Sequence, residues 1–262
     1  MKKILLAFQF LTIIPLKTDM APEEAEISKS SSAFVIVGFI QGILLILTEY
    51  LSGMVFHPEL VTGMILLVLV LSNGGFHLDG LADTLDAIAV RGDREKRLGI
   101  MKNSTIGTAG VIAIVFSLGI KYLSLKSLSH FLPFTYYSSL LLMPVVSKWA
   151  MVIAMFHGKP AREDGIGRLL IGRVSLKEVT ASTLMFFCLP ILLWVFFGRY
   201  MSEGNYAFYA ILVVIVYSLC RLWVKFLEEK FGGLTGDTLG AISEITEMSF
   251  LLMVLIWSQL FI

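Results

Sequence analysis

Residues 74–86 read GGFHLDGLADTLD, and they come just after an apolar run at residues 60–71. If the chain is helical beyond Gly80, the three aspartates of this stretch lie at positions i, i+4 and i+7, within an arc of roughly 60°. These aspartates are Asp79, Asp83 and Asp86. Like charges on one helix face destabilise an isolated helix by about 0.2–0.5 kcal/mol per pair. The pattern therefore predicts a compensating partner for the three carboxylates.

The simplest partner for the aspartates is a hard divalent cation, because such ions prefer oxygen ligands. Mg²⁺ beside a diphosphate is our first interpretation of this motif. The alternative is a solvated helix start with Asp79 as the N-cap, but a cap accounts for one aspartate and not for three. In a continuous helix the side chain of His77 points to the side opposite the aspartates, so it joins them only if the glycines break the helix. Packing or capping explains this histidine equally well.

The composition of the chain is that of an integral membrane protein. Its 262 residues are 56% hydrophobic and 16% charged, and its mean hydropathy is +0.82, far from the values of soluble domains. A window of about 20 residues finds seven apolar segments, near residues 34–56, 60–76, 106–123, 131–156, 179–198, 206–227 and 242–261. We therefore predict an all-α fold, a polytopic membrane helix bundle of about seven transmembrane helices in a single integral-membrane domain at residues 1–262.

An earlier apolar segment at residues 4–16 is too short to cross a bilayer alone. It contains Gln9 and ends near Pro15, and we interpret it as an N-terminal interfacial or re-entrant helix. A cleaved signal peptide is the alternative, because Lys2 and Lys3 precede the apolar run, but no clear cleavage site of small residues follows.

Basic residues are distributed unevenly between the polar segments. Most of the 21 lysines and arginines lie before the first long span or in the loops near residues 77–104, 157–178 and 230. Lys121, near the end of the third span, is one of three assigned to the opposite face. The positive-inside tendency then places the N-terminus and these loops in the cytoplasm, and the C-terminus outside. We expect a multi-pass protein of the prokaryotic cytoplasmic (inner) membrane, with its active-site loops on the cytoplasmic side.

Two of these loops carry residues suited to phosphate. Lys102 and Ser104 precede the third span, where free amides at a helix start and nearby cations suit phosphate oxygens. Membrane anchoring is the alternative for the basic residues, and helix capping is the alternative for Ser104. In the next long loop Arg162 lies close to Gly165 and Gly167, which would let the backbone approach an anion. The net charge of +1 argues against nucleic acid as a partner.

A glycine-rich segment leads into the last apolar segment, which itself contains two glutamates. The residues concerned are Thr235, Gly236, Asp237, Glu244 and Glu247. An ionised carboxylate at membrane depth costs about 2.5–3.5 kcal/mol on insertion scales. The glutamates are therefore expected to face a polar cavity or a cation inside the bundle, and Lys148 in another span could line the same cavity.

Together these motifs resemble the cobalamin synthase family, whose members are also called adenosylcobinamide-GDP ribazoletransferase or cobalamin-5'-phosphate synthase. The resemblance extends along the whole chain, and its most specific parts are two motifs at membrane boundaries. They are His77-x-Asp79-Gly80-x-x-Asp83-x-x-Asp86 and Thr235-Gly236-Asp237-Thr238. Further matching positions are Phe10-Leu11-Thr12, Gly38 and Gly42, Met101-Lys102 with Ser104 and Gly107, Ala161-Arg162 with Gly165 and Gly167, and Glu244 with Glu247.

The resemblance implies a Mg²⁺-dependent reaction that joins the two halves of cobalamin. The GDP-activated adenosylcobinamide phosphate is transferred to α-ribazole or to α-ribazole 5'-phosphate, GMP is released, and adenosylcobalamin or its 5'-phosphate forms. The implied partners are these substrates and the lipid bilayer, and whether copies form a homo-oligomer stays open. The implied catalytic residues are His77, Asp79, Asp83, Asp86 and Asp237, of which Asp79, Asp83 and Asp86 hold the metal. The implied substrate-binding residues are Lys102, Ser104, Arg162, Gly165, Gly167, Thr235, Gly236, Glu244 and Glu247.

This chain departs from the family pattern in the segment after the acidic motif. Asn103, Gly99 and Ala87 stand where aspartate, glutamate and glycine are usual. An asparagine can donate an oxygen ligand but no charge, so Asn103 is not included among the metal ligands, and Asp93 is the alternative.

Two other functions are alternatives at this point. A membrane CDP-alcohol phosphotransferase also uses aspartates at helical spacing to hold a divalent metal, but its Asp-Gly-x-x-Ala-Arg continuation is absent, because Gly80 is followed by Leu81-Ala82-Asp83. An ion-coupled transporter would use the charged groups inside the spans and would show inverted repeats and broken helices. The sequence gives no sign of either feature.

Overall fold

The structure, a computed structural model, describes residues 2–14, 23–103, 105–197 and 203–261. The described segments are almost entirely helical and hold no β-strand, only an isolated parallel bridge between Pro160 and Leu234. The α-helices are α1 Lys2–Leu11, α2 Glu24–Ser30, α3 Phe34–Gly53, α4 Pro58–Ser72, α5 Phe76–Ala89, α6 Arg94–Ile100, α7 Thr108–Leu128, α8 Pro133–His157, α9 Leu176–Phe197, α10 Glu203–Phe231 and α11 Gly236–Phe261. Short 3₁₀ helices occupy Ser31–Ala33 and Ile166–Leu169. The all-α prediction is confirmed.

Each of the seven predicted apolar segments contains one helix, namely α3, α4 and α7 to α11. Among the described residues, four helical stretches are long and apolar enough to cross a membrane: Glu24–Gly53, Thr108–Leu128, Pro133–His157 and Gly236–Leu260. The pair α4 and α5 would count as a fifth, but it is bent by 84°. The predicted number of seven spans is therefore not confirmed, and the bend between α4 and α5 was not predicted from hydropathy.

The N-terminal segment forms a helix of 10 residues, α1, which is shorter than a membrane span. Leu6, Ala7 and Leu11 on one of its faces are buried in the bundle. The helix ends at Leu11, earlier than the predicted end near Pro15, which itself lies outside the described residues.

The bend between α4 and α5 depends on two glycines. Gly74 and Gly75 have φ angles of +63° and +74°, in the left-handed region that only glycine enters at little cost. α5 then begins at Phe76 and runs through His77, so the helix starts earlier than the predicted start at Gly80. Gly75 is its N-cap, which excludes Asp79 from that role.

The centre of the bundle is α8, which is buried along nearly its whole length. α3 packs against it so closely that a Cβ atom on Gly38 would lie 2.6 Å from the backbone oxygen of Pro144, and one on Gly42 would lie 2.4 Å from that of Leu141. Small residues at such crossings let two helix backbones touch. α11 also packs against α8, and it contacts α5 and α7 on its other sides.

Candidate active site

α5 and α11 cross in backbone contact near the start of α11. A Cβ atom on Gly80 of α5 would lie 2.5 Å from the backbone oxygen of Asp237. A Cβ atom on Gly240 of α11 would lie 3.1 Å from the Cα atom of His77. Because these two glycines carry no side chain, the start of α11 lies directly against the acidic helix α5.

Negative charge accumulates at this crossing. Asp83 is half-buried, and its charge is repelled by Asp79, Asp237 and Asp86, in that order, and attracted by Arg162. Asp237 is likewise attracted by Arg162 and repelled by Asp79. Asp79 is exposed to solvent. The crossing thus combines several carboxylates with one guanidinium, and it is open to a ligand from solution.

Asp86 is the exception among the acidic residues of α5, because it is buried and holds the start of α7. Its two carboxylate oxygens accept hydrogen bonds from the backbone N–H groups of Gly107, at 2.6 Å, and Gly110, at 2.8 Å. Cβ atoms on these glycines would lie 2.5 and 2.4 Å from the same carboxylate. Asp86 therefore caps the N-terminus of a neighbouring helix, a position where a negative charge is stabilised.

The three aspartates predicted to hold Mg²⁺ do not form a preassembled site. Within the described parts of the chain, no group of three or more His, Cys, Asp and Glu side chains is arranged so that it could hold a metal ion. Carboxylate oxygens are nonetheless the ligands that Mg²⁺ prefers, and the excess of negative charge around Asp83 suits a cation. The Mg²⁺ assignment stays a prediction. Asp237, from α11, adds to the negative charge around Asp83 beside Asp79 and Asp86 of α5.

The N-terminus of α11 is capped by a pair of threonines. The hydroxyl of Thr238 accepts a hydrogen bond from the backbone N–H of Thr235 at 2.8 Å, and the hydroxyl of Thr235 accepts one from the N–H of Thr238 at 3.2 Å. The Thr235 hydroxyl also donates to the carboxylate of Asp237, at 3.2 Å. Gly236 is exposed between them, and no heavy atom lies within 4 Å of the position that its Cβ would take. Thr235 thus shapes the backbone that presents Gly236 and Asp237.

The loop that carries Arg162 is joined to the start of α11 through the backbone. The N–H of Ala161 donates to the oxygen of Leu234, and the N–H of Leu234 donates to the oxygen of Lys159, both at 2.8 Å. Farther along the loop, a Cβ atom on Gly167 would lie 2.8 Å from the backbone nitrogen of Gly236. The sequence placed these segments in separate clusters, and the structure makes them one surface.

The basic residues near this surface bind backbone carbonyls. Arg162 donates from Nη2 to the oxygen of Leu98 at 2.7 Å, while its buried Nε atom has no hydrogen-bond partner in the described structure. Arg97 donates to the oxygens of Ala87 and Ile88, at 3.1 and 2.9 Å, and so caps the C-terminal end of α5. Arg97 and Arg162 therefore have a structural role in addition to the membrane anchoring that was the alternative for the basic residues.

Lys102, predicted to meet phosphate, forms an exposed ion pair with Asp164 at 2.5 Å. The hydrogen bond from Lys102 and its charge hold the pKa of the Asp164 carboxyl below its usual value. Gly165, next in the chain, is exposed and has a φ angle of +80°. Ser104, another predicted substrate-binding residue, lies outside the described residues.

Glu244 and Glu247 lie inside the bundle, where they form a buried charge network with lysines. Lys121 of α7 is fully buried and donates to Glu244 at 2.7 Å and to Glu247. The hydroxyls of Ser117 and Ser147 donate to Glu244 at 2.7 Å and to Glu247 at 3.0 Å. The expectation that these glutamates meet a cation inside the bundle is confirmed. Their predicted contact with substrate has no support in this geometry, because both are enclosed.

The assignment of Lys121 to the outer face is wrong, because this side chain is 0% exposed and points into the network. Lys148 of α8 lies in the same network, with its Nζ atom 3.8 Å from Glu247 and 3.3 Å from the hydroxyl of Ser147. A signal was present in the sequence, since Lys121 falls inside a predicted span, as Glu244 and Glu247 do. An isolated charge at that depth requires a partner of opposite sign.

His77 belongs to the buried charge network and not to the acidic face of α5. Its ring is 5% exposed, and its Nδ1 atom lies 3.5 Å from Nζ of Lys148 and 3.4 Å from the hydroxyl oxygen of Ser243. Because α5 is continuous through this residue, the ring points away from Asp79 and Asp83. The prediction that His77 joins the aspartates if the helix is broken is therefore not met.

Comparison with known proteins gives a consistent result along the chain. A family model described as cobalamin-5-phosphate synthase matches residues 3–255. Proteins named adenosylcobinamide-GDP ribazoletransferase are similar to this chain. That of Thermodesulfovibrio yellowstonii is 35% identical, covering 99% of this chain and 98% of the relative. The one from Caldanaerobacter subterraneus subsp. tengcongensis is 35% identical, with 95% of each covered, and the one from Clostridium tetani is 32% identical, with 93% and 92% covered. No solved structure matches the chain.

Proposed function

This chain belongs to the cobalamin-5-phosphate synthase family, and we propose that it catalyses the reaction for which its relatives are named. In that reaction a hydroxyl oxygen of α-ribazole, or of its 5'-phosphate, attacks the phosphorus attached to adenosylcobinamide. The bond from that phosphorus to the oxygen of GMP breaks, the hydroxyl loses its proton, and GMP leaves. The alternative functions, a CDP-alcohol phosphotransferase and a transporter, are not favoured by these relatives.

The observation that carries the proposal is the convergence of Asp79, Asp83 and Asp237 with Arg162 at the crossing of α5 and α11. A diphosphate with its GMP leaving group carries several negative charges, which require cationic partners before and during bond cleavage. These three carboxylates are not preassembled as a metal site, and we propose that they would hold Mg²⁺ at this crossing together with phosphate oxygens of the bound substrate. When bound, such an ion neutralises charge on phosphoryl oxygens and so favours departure of the leaving group.

The other residues of the surface would bind and orient the substrate. The guanidinium of Arg162 lies close enough to act on both Asp83 and Asp237, so it can contact a phosphate bound beside them. Lys102 supplies a second, exposed cation. The start of α11 is uncovered at Gly236, and a helix N-terminus suits an anion, so we propose that it contributes to binding the same phosphate. Holding the diphosphate in one orientation aligns it with the attacking hydroxyl.

The test is a reconstitution with the full chain purified in detergent. Incubated with GDP-activated adenosylcobinamide, α-ribazole and Mg²⁺, it should release GMP and form the joined corrinoid in equal amounts. Chelation of the metal should stop both, and fresh Mg²⁺ should restore them. α-Ribazole 5'-phosphate in place of α-ribazole identifies the preferred nucleophile. Absence of GMP under all of these conditions, with lipid formed from a CDP-alcohol or solute uptake in liposomes, would reject the proposal.

We also propose that the acidic crossing faces the cytoplasm, in a prokaryotic inner membrane. Arg94, Arg97, Lys102 and Arg162 lie on the same side of the bundle as the crossing, as the positive-inside tendency predicts for a cytoplasmic surface. In a chain with Cys188 and Cys220 replaced by alanine, a cysteine in place of Glu163 should react with an impermeant thiol reagent only after cells are opened. A cysteine in place of His130, at the other end of the bundle, should react in intact cells.

A further inference from the structure

We infer that His77 is a positioning residue, which sets the place of Asp79 and Asp83 through the buried charge network and takes no part in proton transfer. This inference rests on the proposed function, because it gives His77 a task in the same site. It differs from the role suggested by the motif, in which the histidine stands two residues before an aspartate and would join it in catalysis.

The ring of His77 points away from the exposed aspartates. His77 lies within the continuous helix α5, and at 100° per residue its side chain is about 160–180° around the axis from those of Asp79 and Asp86. The ring is almost fully buried, whereas Asp79 is exposed on the other side. A group on the enclosed side of the helix cannot reach a proton on a substrate bound at the exposed side.

The contacts of the His77 ring hold it in place by hydrogen bonding. The ammonium group of Lys148 can only donate hydrogen bonds, and it lies 3.5 Å from Nδ1 of His77. We therefore assign Nδ1 as the acceptor of this contact.

The His77 ring lies where several helices meet. Lys148 of α8 lies close to Glu247 of α11, which binds Lys121 of α7. Ser243, the other neighbour of Nδ1, also belongs to α11. His77 is thus the contribution of α5 to a polar network that includes three other helices. Its Cα atom lies at the close backbone contact with Gly240, one turn from the contact between Gly80 and Asp237. A shift of the ring would move the aspartates relative to Asp237.

The test compares two substitutions of the same residue in the full chain. His77→Asn retains a polar atom near the position of Nδ1, whereas His77→Leu keeps bulk and removes hydrogen bonding. Since an error of about 1 Å in position can cost up to 100-fold in rate, we expect His77→Leu to lower kcat roughly 10- to 100-fold. His77→Asn should stay within about threefold of the wild type and keep its pH profile. His57→Leu, at an exposed histidine, is the control and should change neither kcat nor the pH profile.

The outcomes separate the possible roles of the histidine. If His77→Asn is as inactive as His77→Leu, or loses one limb of the pH profile, the ring takes part in chemistry and the inference is wrong. The inference is equally wrong if His77→Leu has wild-type kcat, or if its loss of activity only follows the fraction unfolded in a thermal melt. Should His77→Leu not fold, Ser243→Ala removes one neighbour of Nδ1 and should lower kcat severalfold without a change in the pH profile. A wild-type chain that releases no GMP would reject the proposed function itself.

Discussion

The acidic crossing and the buried charge network both involve α5 and α11. They differ in whether their carboxylates are paired with cations. In the network, Glu244 and Glu247 are matched by Lys121 and Lys148, and serine hydroxyls complete their hydrogen bonds. At the crossing, several aspartates surround Asp83, and Arg162 is the opposing charge that acts on it. The network is complete without a ligand, whereas the crossing has negative charge left over.

This difference follows from the solvent of each region. An enclosed carboxylate far from water must be paired within the chain, because its desolvation is otherwise too costly. A carboxylate that water can reach tolerates like charges nearby, since solvent screens them until a ligand arrives. We therefore propose a structural role for the glutamates and a ligand-binding role for Asp79, Asp83 and Asp237. Each substitution that follows tests one side of this assignment.

The largest effect on stability is expected from Lys121→Met, which leaves two buried glutamates without their main cation. Breaking a buried pair in this way typically costs about 3–5 kcal/mol, so the variant should unfold at a much lower temperature or aggregate on extraction. Combining it with Glu244→Gln should restore most of the loss, because Glu247 then keeps Lys148 as its counterion. Lys126→Met, at an exposed ion pair with Glu59, is the control and should melt like the wild type. A stable single variant would contradict the pairing of the network.

The second substitution, Asp83→Asn, should have the opposite pattern, with activity lost and the fold retained. Removal of one charge from the centre of the acidic crossing should lower GMP release by roughly 100-fold or more if this group holds the cation beside the diphosphate. The melting temperature should not fall, because the change relieves repulsion with Asp79 and Asp237. Glu163→Gln, at an exposed loop position, should have normal turnover. Normal turnover in Asp83→Asn would reject the assignment of the aspartates.

Asp86 belongs to the acidic motif but is buried and caps α7. A glycine substitution in α7 tests this structural role. Gly110→Ala places a Cβ atom 2.4 Å from the Asp86 carboxylate and should destabilise the protein by about 1–3 kcal/mol as the cap is displaced. Gly119→Ala lies in the same helix with no heavy atom within 4 Å of its Cβ position, and it should be neutral or stabilising by up to about 1 kcal/mol. Thermal melts of both variants give the comparison.

Asp86→Asn completes this experiment, because it weakens the cap without adding bulk. If Asp86 is structural, the melting temperature falls, and the Mg²⁺ concentration needed for half-maximal turnover stays that of the wild type. If the variant instead melts normally and needs more Mg²⁺, Asp86 belongs with Asp79 and Asp83 as the motif spacing predicts.

The sequence allowed the helices to be predicted better than their contacts. Hydropathy located all seven long apolar segments, because each must be covered by lipid or protein. It did not locate the bend at Gly74 and Gly75, since backbone angles at a glycine pair leave no trace in hydropathy. The partner of Lys121 was missed for a similar reason, because a charge inside one span does not indicate which other span contains its counterion.

The candidate site was predictable in part. Placing the Asp79 and Asp237 motifs at membrane boundaries on the same side of the bilayer made their proximity a reasonable expectation, and the structure brings these two segments together. The separation of Asp86 from Asp83 was not predictable, because helical spacing puts both on one arc and only the packing of α7 assigns Asp86 to Gly107 and Gly110.

The smallest effect is expected at the ion pair of Lys102 and Asp164, which belongs to neither region. Both side chains are more than half exposed, at 55% and 62%, and such pairs are weak and screened by salt. Because the pKa of Asp164 is lowered in the folded protein, its contribution is present above the carboxyl's ordinary pKa and is lost as the pH falls through the lowered value. Asp164→Asn should therefore melt slightly below the wild type at neutral pH.

The difference in melting temperature between Asp164→Asn and the wild type should stay constant from neutral pH down to about 5 and disappear in stronger acid. It should also disappear in molar salt at neutral pH. Glu163→Gln, one residue earlier and also exposed, should melt like the wild type at every pH. A difference that grows on acidification would mean that Asp164 takes up protons more readily in the folded protein. Asp164 would then belong with the crowded carboxylates of the crossing, and Lys102 would not be its main partner.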